Sequence, residues 1–73
     1  MKKKALIKTL RGLAKENGLK MLYLGGTNHE KWRFGDAVLI IPRHSELDEY
    51  IAKSAINKAR AVAAEASKGA TDD

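Results

Sequence analysis

The apolar positions at the start of the chain recur with a helical period. Leu6, Leu10, Leu13 and Ala14 stand at i, i+4, i+7 and i+8, so residues Lys3 to about Asn17 predict an amphipathic helix, and Gly18 is its stop. The period then changes. Lys20-Met21-Leu22-Tyr23-Leu24 is a short β-type run closed by the turn-like Gly25-Gly26-Thr27-Asn28. His29 to Phe34 alternates, with His29, Lys31 and Arg33 on one face and Glu30, Trp32 and Phe34 on the other. Gly35-Asp36 predicts a tight reversal, and Ala37 to Ile41 a third strand ended by Pro42. Ser45 reads as the N-cap of a second helix. Glu46, Asp48 and Glu49 place negative charge on its dipole, with Asp48 in the capping-box position. Leu47, Ile51, Ala55, Ile56, Ala59, Val62 and Ala63 form a broad arc of mostly small apolar residues, suited to close packing on a sheet.

Pairing Phe34 with Ala37 across the reversal sets Trp32 opposite Leu39, Lys31 opposite Ile40 and His29 beside Pro42. Trp32, Phe34, Leu39 and Ile41 then form a core face, and His29, Lys31, Arg33, Val38 and Ile40 form a mixed face of cations and aliphatics. Only the first has enough apolar side chains to bury two helices, so both must lie on it. The predicted fold is α+β: an α-β-β-β-α order with a three-stranded antiparallel sheet and both helices on one face, which is double-stranded-RNA-binding-domain-like. We expect a single domain over residues 1–66 and a disordered tail over 67–73.

Composition narrows the functional classes. With 73 residues and no cysteine, the chain excludes a multidomain arrangement, a disulfide scaffold and a thiol-ligated metal site. Lack of cysteine also fits a reducing, cytoplasmic setting. No stretch reaches the roughly 20 apolar residues that cross a bilayer, and Lys8 and Arg11 interrupt what would be the apolar core of a targeting segment. No membrane association is expected. The net charge of +5 is unevenly spread: residues 1–20 carry +6, residues 21–44 carry +1 and residues 45–73 carry −2. Lys4, Lys8, Arg11 and Lys15 fall within about 60° of one another on the first helix, away from the leucines. That row is either a solvated face or a contact to nucleic-acid phosphates.

Candidate chemistry is sparse. Two histidines, no cysteine and no clustered carboxylates give little basis for a metal site, and no metal or other cofactor is expected. Ser45 is explained as a cap, and Ser54 lies mid-helix with no histidine near it in sequence. His29 stands out because it follows a glycine turn whose backbone N–H groups are suited to an anion. An imidazole, with an ordinary pKa of about 6.5, exchanges protons near neutrality. A phosphodiester next to a ribose 2′-hydroxyl suits this pair: the base takes the hydroxyl proton and the oxygen attacks phosphorus without a metal. A hydrogen-bonded surface histidine is the plainer alternative. Trp32 is open to two roles, stacking on a base or filling the core, and its alternation with Phe34 favours the core.

Gly26-Thr27-Asn28-His29-Glu30-Lys31-Trp32, then Ile41-Pro42-Arg43-His44, then Leu47-Asp48-Glu49-Tyr50-Ile51-Ala52-Lys53-Ser54-Ala55-Ile56, together resemble the HicA-type toxins. These are small messenger-RNA interferases of type II toxin–antitoxin systems. The resemblance runs from about Lys3 to Ala59. It rests on a glycine, small polar residues and a histidine ahead of an aromatic strand, followed by a Pro-x-His box before the last helix. It implies that His29 is the catalytic histidine, preceded by Gly26, Thr27 and Asn28 in the RNA-binding turn. Arg43 and His44 fall in the Pro-x-His box, His44 either bonding near the helix start or touching substrate. Lys31 and Arg33 are added from the face argument as phosphate contacts. The chain departs from the family pattern in the longer last helix through Lys58-Ala59-Arg60-Ala61-Val62-Ala63-Ala64-Glu65, and in Asp48-Glu49-Tyr50-Ile51, where relatives often carry a glycine.

The resemblance implies a metal-independent endoribonuclease that cleaves messenger RNA and is masked by a HicB-type antitoxin protein. Two other readings stay open: a non-catalytic RNA-binding module of the same fold, and an inactive toxin relative serving as a protein-interaction domain. The acidic Ser45-Glu46-Leu47-Asp48-Glu49 weighs against generic duplex binding, which usually places lysines at that helix start.

Overall fold

The computed structural model describes the backbone of residues 1–70 and the side chains of residues 1–66. Helix α1 (Lys3–Glu16) is followed by β1 (Met21–Gly25), β2 (His29–Phe34), β3 (Ala37–Pro42) and helix α2 (Glu49–Ala70). The strands form one antiparallel sheet in the order β1-β2-β3. The anticipated register is present: Phe34 pairs with Ala37, Trp32 with Leu39, Lys31 with Ile40 and His29 with Pro42. Leu6, Leu10 and Ala14 of α1 and Ala52 and Ala59 of α2 meet Trp32, Phe34, Leu39 and Ile41 in a single core. Both helices therefore cover one face of the sheet, and the other lies open, with Leu22, Val38 and Ile40 exposed on it. Among the described residues no helix is long and apolar enough to cross a membrane.

The sequence pattern misplaced three element ends, one in β1 and two in α2. A break in the β1–β2 register falls between Tyr23 and Gly25, so the strand takes in Gly25 and the connection shortens to residues 26–28. Helix α2 begins at Glu49, three residues later than a Ser45 cap requires. Asp48 caps it instead, its Oδ1 accepting the Tyr50 N–H at 3.4 Å and its carbonyl accepting the Ala52 N–H at 3.0 Å. The displaced residues have another task. Ser45 to Leu47 run antiparallel to Met1–Lys3, with Lys3 N–H donating to Ser45 O at 2.9 Å and Leu47 N–H to Met1 O at 2.7 Å.

Two physical demands select that extended course. It seats Leu47 in the core at 3% exposure, and it supplies a carbonyl to the first turn of α1, where Lys2 at the N-cap has no side-chain acceptor to offer. At the other end, α2 continues through Ala70, where a disordered tail was expected from Ser67. An alanine-rich run carries a helix onward because each added residue gains a backbone bond at little entropic cost. Residues 71–73 of the expected tail lie outside the described residues.

The two possible caps make different predictions. Asp48→Ala is expected to lower stability by about 0.5–2 kcal/mol through loss of the cap, with Ser45→Ala within about 0.5 kcal/mol of wild type. Urea unfolding of both variants checks this, and the opposite ranking would restore Ser45 as the cap.

Candidate functional site

His29 opens the central strand, and its position depends on the turn before it. Gly25 and Gly26 adopt φ of +94° and +129°, values that side-chain-bearing residues rarely reach. At Gly26 a Cβ would also lie 2.0 Å from the His29 carbonyl oxygen. Only glycine fits there. The turn and strand together line a shallow depression of about 390 Å3 formed by Gly26, Thr27, Asn28, His29 and Lys31. The imidazole is exposed, with Lys31 as the cation beside it in the same depression.

Strand alternation turns Glu30 the other way, onto the core face, where it is only 7% exposed. A buried carboxylate is costly unless its oxygens are bonded, and Glu30 is bonded on both. Its Oε2 accepts from Lys3 Nζ at 2.5 Å, and Oε1 from Trp32 Nε1 at 3.0 Å. Arg43 Nη1 lies 3.7 Å from Oε2. The Lys3 hydrogen bond is the main influence holding the Glu30 carboxyl below its ordinary pKa of 4.5; burial opposes it, and the Trp32 bond and the charges of Lys3 and Arg43 reinforce it.

Arg43 reaches past this carboxylate to the turn. Its Nη2 donates to Gly26 O at 2.5 Å and to Tyr23 Oη at 2.6 Å. The guanidinium thus touches the backbone of the His29 depression. On its other side it lines a second hollow of about 460 Å3 with Lys2, Lys3, Lys4, Ser45 and Glu46. Three lysines thus gather beside Arg43 at the start of α1, with Glu46 among them.

The remaining candidates divide by location. Lys31 shares the His29 depression, but Arg33 folds onto the β2–β3 reversal, its Nε donating to Gly35 O at 3.0 Å and its Nη2 lying 3.9 Å from Asp36. His44 is exposed in the extended stretch ahead of Ser45, five residues before α2 begins, so a bond to the helix start is not what holds it. Trp32 is core: it is 8% exposed, its indole N–H is committed to Glu30, and Arg11 and Tyr23 lie against its ring at 5.3 and 5.1 Å between centres. Arg11 stays exposed on α1 with Lys4, Lys8 and Lys15 while its guanidinium lies over that ring. Sequence reasoning missed Glu30, Lys3 and Tyr23. The signal for Glu30 was present, since the alternation that made Trp32 and Phe34 core residues gives the same address to Glu30.

Fold and site together define a small α-β-β-β-α domain with an open sheet face and a histidine at the entrance of its central strand. Comparison with protein-family models, with curated proteins and with solved structures finds no match to this chain.

The buried carboxylate has a signed pH dependence. Its folded-state pKa is depressed, so its contribution to stability is fully present above the ordinary value of 4.5 and is lost as pH falls through the folded-state value. Glu30→Gln is expected to cost about 1–3 kcal/mol at neutral pH, and the gap between variant and wild type should narrow as pH drops below 4.5. Urea titrations across that range measure it; a gap that stays constant with pH would contradict the assignment.

Proposed function

We propose that the protein is a HicA-type toxin, a metal-independent endoribonuclease that cleaves messenger RNA in the cytoplasm, with His29 as general acid or base. The observation that carries this reading is the exposed imidazole in a depression walled by a glycine turn and Lys31, with three further lysines around the separate hollow that Arg43 lines. An RNA backbone bound in the depression brings a phosphodiester to His29. The imidazole takes the 2′-hydroxyl proton, the freed oxygen attacks phosphorus, and the 5′-oxygen departs and is protonated. One fragment then ends in a 2′,3′-cyclic phosphate and the other begins with a 5′-hydroxyl. Lys31 offsets the negative charge that grows on the phosphoryl oxygens, while Thr27 and Asn28 line the same hollow.

The expected partner is a HicB-type antitoxin. Leu22, Val38 and Ile40 are each 41–59% exposed on the open face, and β2 sets Lys31 and Arg33 between them. A protein that contributes aliphatics and carboxylates would cover this face and the histidine together. A purely duplex-binding role is less well supported, because α2 is capped by Asp48 and starts with Glu49 rather than with lysines.

The test is cleavage of labelled RNA by the full chain and by His29→Ala with a chelator present. The variant should remain folded and lose at least about 100-fold in rate, the lower end of what positioned proton transfer supplies. Undiminished cutting by His29→Ala would overturn the assignment. Binding without cutting by wild type would favour the RNA-binding module, and neither binding nor cutting would favour a protein-interaction domain.

A further inference from the structure

We infer that Arg43, held by Glu30, is a positioning residue that locks the Gly26–His29 turn, rather than a contact to RNA phosphate; the inference rests on the reading of His29 as the reactive group. The turn needs such a lock. Its two glycines occupy positive-φ conformations, which persist only where the surroundings hold them. The β1–β2 ladder that would ordinarily do so is interrupted between Tyr23 and Gly25, directly before the turn. Arg43 supplies what the ladder lacks. One terminal nitrogen donates both to Gly26 O at 2.5 Å and to Tyr23 Oη at 2.6 Å, so it ties the turn to β1 on one side of the interruption and to the end of β3 on the other.

An exposed arginine would ordinarily pay for such bonds in rotamer freedom. Here its other terminal nitrogen lies 3.7 Å from a carboxylate that Lys3 and Trp32 already fix in the core. Glu30 thus orients the guanidinium, and the guanidinium orients the turn. The planar fork is essential to this, since it presents donors in two directions at once, whereas an ammonium is a single point of charge. His29 follows the turn directly and takes its placement from it. A loosened turn would displace the imidazole from the phosphodiester, and misplacement by about 1 Å costs on the order of 100-fold in rate.

The proposal separates Arg43 from the phosphate contacts by two measurements on the full chain, using Arg43→Ala, Arg43→Lys and the milder Tyr23→Phe. In the first, amide hydrogen exchange at Thr27, Asn28 and His29 should accelerate by about tenfold or more in both Arg43 variants and by less in Tyr23→Phe, with Phe34 and Leu39 unchanged. In the second, steady-state cleavage of a labelled RNA should show kcat reduced by about tenfold or more with KM within about threefold of wild type, and Arg43→Lys no better than Arg43→Ala. Unchanged turn exchange would overturn the lock. Recovery by lysine, or a raised KM at constant kcat, would make Arg43 a phosphate contact instead. If wild type does not cut RNA at all, the reading of His29 fails, and the exchange measurement still decides whether Arg43 locks the turn.

Discussion

A carboxylate sits where the sheet would otherwise place an apolar side chain, and much of this small structure is arranged around that fact. Glu30 occupies the core face of the central strand, two positions before Trp32 and one after His29. Burying it unpaired would cost more than a domain of this size can spare. Its three cationic or N–H partners come from three places: Lys3 from the first turn of α1, Trp32 from β2 itself and Arg43 from the stretch leaving β3. Satisfying one carboxylate therefore fixes the approach of α1 to the sheet and the course of the chain after Pro42. The same course lets Ser45–Leu47 pair with Met1–Lys3 and delivers Leu47 to the core.

The consequence for the site is a division of labour between neighbouring residues. Glu30, buried, and Arg43, exposed but bonded to the turn, define geometry, while His29 and Lys31, on either side of Glu30 in the strand, face the open depression. Alternation alone produces this separation, since successive side chains of a strand leave on opposite faces. It sets a hydrogen-bonded carboxylate on the face opposite an exposed imidazole, and among the described residues no carboxylate lines the depression itself. The excess positive charge of the N-terminal third is put to two uses: Lys3 is bonded to the buried Glu30, and Lys4, Lys8, Arg11 and Lys15 remain on the surface, the Arg11 guanidinium lying over the Trp32 ring.

Much of this was legible in the chain. The helical stripe of Leu6, Leu10 and Ala14, the alternation of β2 and the Gly35-Asp36 reversal were enough to derive the element order, the strand register and the shared core face, because each is a local signal that the packing reinforces. The failures were of a different kind. Ser45 has good capping chemistry, yet long-range demands won: its carbonyl is needed by α1, and Leu47 is needed by the core. The Tyr23–Gly25 irregularity depends on pairing with β2, which glycine content alone does not reveal. Arg43 reads in sequence as an RNA contact in the Pro-x-His box, and its bonds to the turn were not legible because neither Gly26 nor Tyr23 is near it in sequence. The core address of Glu30 was readable from alternation, but the partners that make its burial tolerable, Lys3 and Arg43, are distant in sequence.

The central claim is that the His29 depression performs proton transfer on a ribose-bearing phosphodiester. Its most direct test is to incubate the full chain, with a chelator, with an RNA strand and with the matching strand in which every sugar lacks the 2′-hydroxyl, then to identify the ends produced. The account predicts cutting of the RNA alone, leaving 2′,3′-cyclic phosphate and 5′-hydroxyl ends. Equal cutting of the deoxy strand, or RNA products bearing 5′-phosphates, would contradict it.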